Sequence, residues 1–252
     1  MTLALSGVTK LFGGVRAVDD VSFEVQAGEV HGLIGPNGAG KTTLLNLVSG
    51  LLVPTAGTIQ LAGERLDRLA VHRIAARGVA RTYQNIRLFG GLSAEDNVVV
   101  GEHLWRKQQL LGRMLQLSAA RAEERTAREE ARALLARVGL EGRGAERASN
   151  LSYGDQRKVE IARALAARPR VLLLDEPTAG MNAAEVKAVA TLVRAVAAER
   201  QAVLLIEHNV PLVMEICDRV TVLSFGKVIA RGRPDEVVRD PAVIEAYLGS
   251  AA

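Results

Sequence analysis

Between Val30 and Val48 an apolar run, a glycine-rich loop and an amphipathic segment follow one another directly: VHGLI, GPNGAG, KTTLLNLV. No other stretch restricts the fold as strongly. The octet Gly35, Pro36, Asn37, Gly38, Ala39, Gly40, Lys41, Thr42 meets the spacing G-x-x-x-x-G-K-[ST] at every fixed position. A short string of this kind also occurs in surface turns, so its flanks decide the reading. Val30 to Ile34 has the composition of a strand entering the loop, and Leu44, Leu45, Leu47 and Val48 mark a helix leaving it. Gly35, Gly38 and Gly40 let successive backbone amides approach an anion, towards which the positive end of the helix also points. Lys41 supplies a charge for the β- and γ-phosphates, and the hydroxyl of Thr42, with Thr43 next to it, is placed for a magnesium ion. The expectation is an α/β fold that binds a triphosphate.

At 252 residues and 48% hydrophobic content the chain can build one nucleotide-binding core with an inserted subdomain. Its apolar runs, Val171 to Leu174 and Ala202 to Ile206, fall far short of the roughly 20 residues that cross a bilayer. The opening MTLALSGVTK has neither the basic lead-in nor the apolar length of a signal peptide. A cytoplasmic protein is expected unless a partner holds it at a membrane. The single cysteine, Cys217, fits a reducing compartment and shares helical spacing with Val210, Val213 and Met214, as a small core residue would. A net charge of +4 suits nucleotide or anionic lipid, and with 3% aromatic residues and no recognisable module, no nucleic acid is expected.

In chain order, Leu3 and Leu5, then Val21, Phe23 and Val25, alternate with polar residues as in a half-buried antiparallel sheet. Between them, in KLFGGVRAV, Phe12 is either a platform for adenine or a core aromatic, and the sequence leaves both open. A short strand, TIQL, lies between Gly57 and Gly63, a helix ends at Gly78, and Val79 to Tyr83 reads as a strand ending in Gln84. Gln84 lies between the phosphate loop and a helical region, which makes it a candidate reporter of what occupies the site. Ser93 to Asp96 reads as a capping box. From Val98 to Gly142 comes a long helical insertion. Leu104, Trp105, Leu110, Leu111, Met114, Leu115 and Leu117 give it an apolar face, which is either ordinary packing or a docking surface around Trp105. Ala131, Leu134, Leu135 and Val138 form a buried stripe further on, and Glu124 with Arg128 makes an i,i+4 pair.

Leu151, Ser152, Tyr153, Gly154, Asp155 and Gln156 precede a helix whose face carries Val159, Ala162, Leu165 and Ala166, so Ser152 and Gly154 stand at a second helix N-terminus suited to an anion. Val171 to Leu174 is wholly apolar, as a strand buried on both faces is, and delivers Asp175 and Glu176 at its end. Asp175 can hold a magnesium ion through water, and Glu176 can orient and deprotonate an attacking water. A helix through Val186, Val189, Val193 and Val196 follows, then a strand, Ala202 to Ile206, that ends in Glu207 and His208. His208 falls at the same sheet edge as Asp175, within reach of a γ-phosphate.

Taken in that order, Gly35 to Thr42, Gln84, LSYGDQ at 151–156, VLLLDEP at 171–177 and His208 resemble the ATP-binding subunits of ABC transporters. They stand where that family has its Walker A, Q-loop, signature, Walker B and switch-histidine elements. RTYQNIRLF, the helical insertion, LSYGDQR and the ending DPAVIEAYLG are similar to the ATPases of branched-chain amino acid importers. The resemblance implies a P-loop NTPase core with a RecA-like mixed sheet and helices on both faces, an antiparallel β subdomain, and an inserted α-helical subdomain. It implies one ABC ATPase domain over 1–252, with 1–92 and 157–252 as core and 93–156 as the helical signature subdomain. It implies ATP and Mg2+ as ligands, with Gln84 joining Thr42 and Asp175 at the metal, and Gln84, Glu176 and His208 in catalysis. Ser152, Tyr153, Gly154, Asp155 and Gln156 would face nucleotide on another chain. Only one phosphate loop and one signature occur, so a head-to-tail dimer is expected, of two identical chains or of this one with a related ATP-binding subunit. Membrane permease subunits, indirectly a substrate-binding protein, and a peripheral position on the cytoplasmic face of the inner membrane complete what the family implies. An exporter ATPase for lipid or lipopolysaccharide shares every catalytic element and stands as the alternative. Tyr153 and Asp155 depart from the commonest signature, Asn182 stands where aspartate is usual, and Phe12 where tyrosine is frequent.

Overall fold

The computed structural model describes residues 2–102 and 118–248. The apolar face from Leu104 to Leu117, with the surface around Trp105, lies outside the described residues. Two compact units emerge. The first comprises Met1–Arg81, Arg170–Pro177 and Val193–Ala252, the second Thr82–Pro169 and Thr178–Leu192.

Both sheets belong to the first unit. In the smaller one, β1 (Thr2–Phe12), β2 (Val15–Gln26), β4 (Ala56–Leu61) and β5 (Glu64–Arg65) run in the order β2-β1-β4-β5, with every pairing antiparallel. Leu3 lies opposite Val25 and Leu5 opposite Phe23, so the period-two pattern places all four on one buried face. The strands extend through the stretch around Phe12 and close at Gly13 and Gly14, where the sequence reading had a connecting segment.

In the larger sheet, β3 (Val30–Ile34), β6 (Val79–Arg81), β7 (Val171–Asp175), β8 (Ala202–Ile206), β9 (Arg219–Ser224) and β10 (Lys227–Gly232) run in the order β10-β9-β3-β8-β7-β6. The β9–β10 hairpin is antiparallel and the other pairings are parallel. β3, β7 and β8 are buried along their whole length, which is why their sequences read as unbroken apolar runs. His31 is the exception in β3. Its Nδ1 donates to Glu29 Oε1 at 2.8 Å, its Nε2 pairs with Thr221 Oγ1 at 2.8 Å, and its ring stacks on Phe23 at 5.0 Å. With both nitrogens engaged, the imidazole packs as part of the core.

Register fixes where the chemistry-bearing residues emerge. Leu33 of β3 and Asp175 of β7 both pair with Ile206 of the intervening β8. The C-terminal ends of three neighbouring parallel strands therefore share one edge, and from it leave the loop Gly35–Gly40, the pair Asp175–Glu176 and the pair Glu207–His208. Helices α1 (Lys41–Val48), α2 (Val71–Ala76), α7 (Val210–Ile216), α8 (Pro234–Val237) and α9 (Pro241–Leu248) complete the first unit. Gly78, with φ +92°, follows α2 in a left-handed conformation that suits a helix stop.

The second unit contains α3 (Ala94–Gly101), α4 (Ser118–Arg137), α5 (Tyr153–Ala166) and the start of α6 (Ala183–Ala198), which passes into the first unit after Leu192. α3, α4 and α5 pack on one another. Ala127, Ala131, Leu135 and Val138 form the buried stripe, with Leu134 half-buried beside it. Ser93 caps α3 by accepting from the Asp96 amide at 3.0 Å, yet the Asp96 carboxylate receives the Ser93 hydroxyl at 2.7 Å instead of returning to the cap's backbone amide. Arg128 explains the departure from a reciprocal box: it holds Asp96 at 3.1 Å and Glu95 at 3.0 Å, while its i,i+4 contact with Glu124 is a longer 3.4 Å.

Candidate nucleotide site

The loop from Gly35 to Gly40 is shaped by its own protein neighbours. A Cβ on Gly35 (φ +148°) would lie 2.0 Å from the Leu223 carbonyl oxygen, and one on Gly40 (φ +102°) 2.4 Å from that of Ala17. The glycines at the loop's two ends thus answer first to β9 and β2, whereas the sequence reading gave them to a phosphate. Gly38, also left-handed, has open space where a Cβ would stand. Pro36 is half-buried, Asn37 exposed and Ala39 buried. Gly40 occupies the N-cap of α1 without a side-chain bond, which leaves the helix start to whatever anion approaches it.

Lys41 opens α1 almost fully buried, its Nζ donating to the carbonyls of Gly35 at 2.6 Å and Pro36 at 2.9 Å. Burial pushes the ammonium below the ordinary lysine value, and the charges of Glu176 and Asp175 work against that shift. Thr42 is exposed in the first turn and Thr43 half-buried behind it. Phe12, at the end of β1, is 46% exposed with Lys10 Nζ 5.2 Å from its ring centroid, so it is no core residue and offers a face to solvent.

At the end of β7 the two acids differ sharply. Asp175 is buried, and its Oδ2 accepts from Arg81 Nη2 at 2.9 Å. The same guanidinium donates to Asn46 Oδ1 at 2.7 Å and Ser49 Oγ at 3.1 Å, tying β6 and α1 to β7. Glu176 is held at φ +49°, a left-handed conformation costly for a non-glycine residue. Its amide continues the ladder to the Ile206 carbonyl at 3.0 Å, and its Oε1 accepts from His208 Nε2 at 2.9 Å. Lys41, Asp175, Glu176 and His208 are thus gathered by one sheet edge. Thr42 and Asp175 offer hydroxyl and carboxylate oxygens, the hard donors that suit Mg2+, an ion that fills its remaining positions with water and phosphate.

Gln84 and the segment 151–156 lie in the second unit. β6 stops at Arg81, two residues before the sequence reading ended it, because the Tyr83 and Gln84 carbonyls are taken by the guanidinium of Arg157. The side chain of Gln84 is exposed. Ser152 is the N-cap of α5, its hydroxyl accepting from the Asp155 amide at 3.2 Å. Tyr153 is 49% exposed, and its hydroxyl accepts from Arg157 Nη2 at 3.0 Å. Gly154 is buried where a Cβ would come 2.7 Å from Glu185 Oε1. Asp155 is bonded to Arg143 at 2.7 Å and Lys158 at 2.9 Å, and Gln156 Nε2 donates to the Leu151 carbonyl at 3.0 Å. Asn182 accepts from the Glu185 amide at 3.1 Å while its own amide donates to Glu185 at 2.9 Å, a reciprocal pair that starts α6. Arg81, Arg157 and Glu160 were missed by sequence reasoning. Arg81 carried a signal, an arginine inside a short apolar strand; Arg157 and Glu160, in a helix rich in charge, carried none.

Comparison with known proteins places these features in context. The family profile described as ABC transporter matches residues 18–179, and that described as branched-chain amino acid ATP-binding cassette transporter matches residues 227–252. The high-affinity branched-chain amino acid transport ATP-binding protein BraF of Pseudomonas aeruginosa is 43% identical over 250 residues, covering 99% of this chain and 98% of that protein. Among solved structures, the ADP conformation of an ATP-binding cassette of an ABC transporter superposes with a TM-score of 0.85 at 30% identity, covering 99% of both chains. The dimeric post-hydrolysis state of another cassette, bound to ADP and Pi, gives a TM-score of 0.80 at 25% identity over 93% of this chain and 99% of that one.

Proposed function

This chain belongs to the ATP-binding subunits of ABC transporters, and from that footing we propose that it drives import of branched-chain amino acids by binding and hydrolysing ATP in a dimer of cassettes. The reading as an exporter of lipid or lipopolysaccharide has no support in these relatives. One observation carries the chemical assignment: Glu176, in a left-handed conformation at the end of β7, shares a hydrogen bond with His208 on the edge from which Lys41 also leaves.

On this reading Gly35 to Gly40 and the start of α1 cradle the phosphates, and Phe12 stacks on adenine. Lys41 exchanges its loop carbonyls for phosphate oxygens, a step favoured because burial leaves its ammonium with little water to compensate the charge. Glu176 takes the proton of the attacking water, and His208 orients the carboxylate and meets the γ-phosphate. Thr42, Asp175 and Gln84 would hold a magnesium ion, which neutralises charge on the β- and γ-phosphates when bound. Ser152 to Gln156 close over the nucleotide of a partner cassette, since the chain carries one phosphate loop and one signature. The partner is a second copy or a related ATP-binding subunit. The helical segment 93–156 serves as the signature subdomain beside the core of 1–92 and 157–252, and passes motion to membrane permeases served by a substrate-binding protein. Work is then done at the cytoplasmic face of the inner membrane. Among the described residues no helix is long and apolar enough to cross a bilayer.

Glu176→Gln tests the assignment. The variant keeps the shape of the side chain and loses the base, so ATP affinity is retained while turnover drops by about 100-fold or more. Turnover within about threefold of the parent would remove Glu176 from its role.

A further inference from the structure

Arg157 has no exposed surface at all. Its Nη1 donates to the Tyr83 carbonyl and, at 2.8 Å, to Glu160 Oε2; its Nη2 donates to the Gln84 carbonyl at 2.6 Å and to the Tyr153 hydroxyl at 3.0 Å. Glu160, 1% exposed, turns its other oxygen to the amides of Tyr83 at 3.4 Å and Arg87 at 3.3 Å. One turn on, Arg163 Nη1 donates to the Arg87 carbonyl at 2.6 Å. Residues 157, 160 and 163 share one face of α5, and together they satisfy donors and acceptors of an irregular segment that has left the β ladder. A buried ion pair rarely outperforms an apolar pair of equal volume in stability. What this one supplies, and leucines would not, is a set of directional bonds to a particular stretch of backbone.

We propose that Arg157 and Glu160 are positioning residues that lock the backbone of the Gln84 segment to the helix headed by Ser152 to Gln156, so that the two shift as one body during the ATP cycle. The inference rests on the ATPase reading above. Tyr153 and the Gln84 carbonyl share a single guanidinium nitrogen, so a displacement of the α5 N-terminus reaches Gln84 through one rigid, planar group.

The full chain provides the test. Arg157→Lys keeps the charge but replaces the planar fork by one ammonium that cannot serve the same set of partners. Its kcat for ATP is expected to fall about tenfold with KM changed less than about twofold. In a Gln84→Ala background the same substitution is expected to change kcat by less than about twofold, because the residue acts through Gln84. Should the lysine variant not fold, Arg157→Met combined with Glu160→Met keeps volume and removes both charges of the buried pair, while Arg163, 3.9 Å from Glu160 and 17% exposed, keeps its bond to the Arg87 carbonyl. That chain is expected to show the same kinetics and about tenfold faster amide exchange at Tyr83 and Arg87. An equal loss of kcat with and without Gln84, or a folded double variant with parental kcat and parental exchange at both amides, overturns the proposal. A parent chain without ATPase activity would instead remove the ATPase reading, and the exchange rates at Tyr83 and Arg87 would still decide whether the pair holds the segment.

Discussion

Replacing Arg81 by methionine should expose how much the buried end of β7 depends on one guanidinium. Arg81 and Asp175 are 5% and 2% exposed, and the pair is closed at 2.9 Å with Asn46 and Ser49 as further acceptors. Water is too scarce there to compensate a carboxylate whose cation has gone, and breaking such a pair from one side costs about 3–5 kcal/mol. Removing both charges, with Arg81→Met and Asp175→Leu together, leaves neither member of the pair facing a missing counter-charge and is expected to cost less than the sum of the two single changes. Urea unfolding of the full chain reads this directly. With a denaturant slope of about 3 kcal/mol per molar, Arg81→Met should lower the midpoint by roughly 1 M or more. A single-variant midpoint within roughly 0.2 M of the parent would show that the pair does not carry the stability assigned to it, as would a double variant as damaged as the sum.

The loop glycines separate by the same kind of reasoning. Gly35→Ala puts a Cβ 2.0 Å from the Leu223 carbonyl and should cost about 3 kcal/mol or more in thermal unfolding, whereas Gly38→Ala meets open space and should cost only the ~1–2 kcal/mol of a left-handed alanine. Equal melting temperatures for the two variants would refute the distinction. Asp155 gives a pH signature: burial works to raise its pKa, yet hydrogen bonds from Lys158, Arg143 and Ser152 bring it from 3.8 to about 2. A carboxyl held lower in the folded than in the unfolded chain stabilises above the unfolded pKa and loses that contribution as pH falls through the folded one. Asp155→Asn should therefore cost about 2 kcal/mol at every pH from neutral to roughly 4, with the gap to the parent closing as pH approaches 2. A gap that persists at the acid end would place the stabilisation elsewhere.

Much of this arrangement was legible from residues alone because it depends on local pattern. VHGLI, VLLLD and AVLLI are apolar but for His31 and the terminal Asp175, as strands buried on both faces require, and they hand over to the glycine-rich loop, to Asp175–Glu176 and to Glu207–His208 at one sheet edge. β9 and β10 escaped notice for the complementary reason. RVTVLS mixes Arg219 and Thr221 into its apolar positions, and Thr221 is there to meet His31, a partner nearly two hundred residues earlier in the chain. Long-range polar pairing of that kind leaves no periodicity. The same holds for Arg157 with the 83–84 carbonyls: its charge looked like one more member of a solvated set until the fold removed its water.

The departures from the family's commonest signature find their explanation at this level too. Asp155 sits three residues beyond the cap Ser152, where a carboxylate receives the serine hydroxyl at 2.8 Å and complements the positive end of α5, and Arg143 and Lys158 neutralise it. Asn182 needs no charge to start α6, since an amide oxygen accepts the Glu185 amide as well as a carboxylate does. Tyr153 places a hydroxyl against Arg157 that a small residue would not supply. Two of these three substitutions therefore feed bonds into one network running from the α5 N-terminus to Gln84: Asp155 secures the cap, and Tyr153 joins it to the buried guanidinium. The N-terminal turn of the helix headed by Ser152 is thus joined to the Gln84 backbone through the single guanidinium of Arg157, the connection on which the proposed coupling depends.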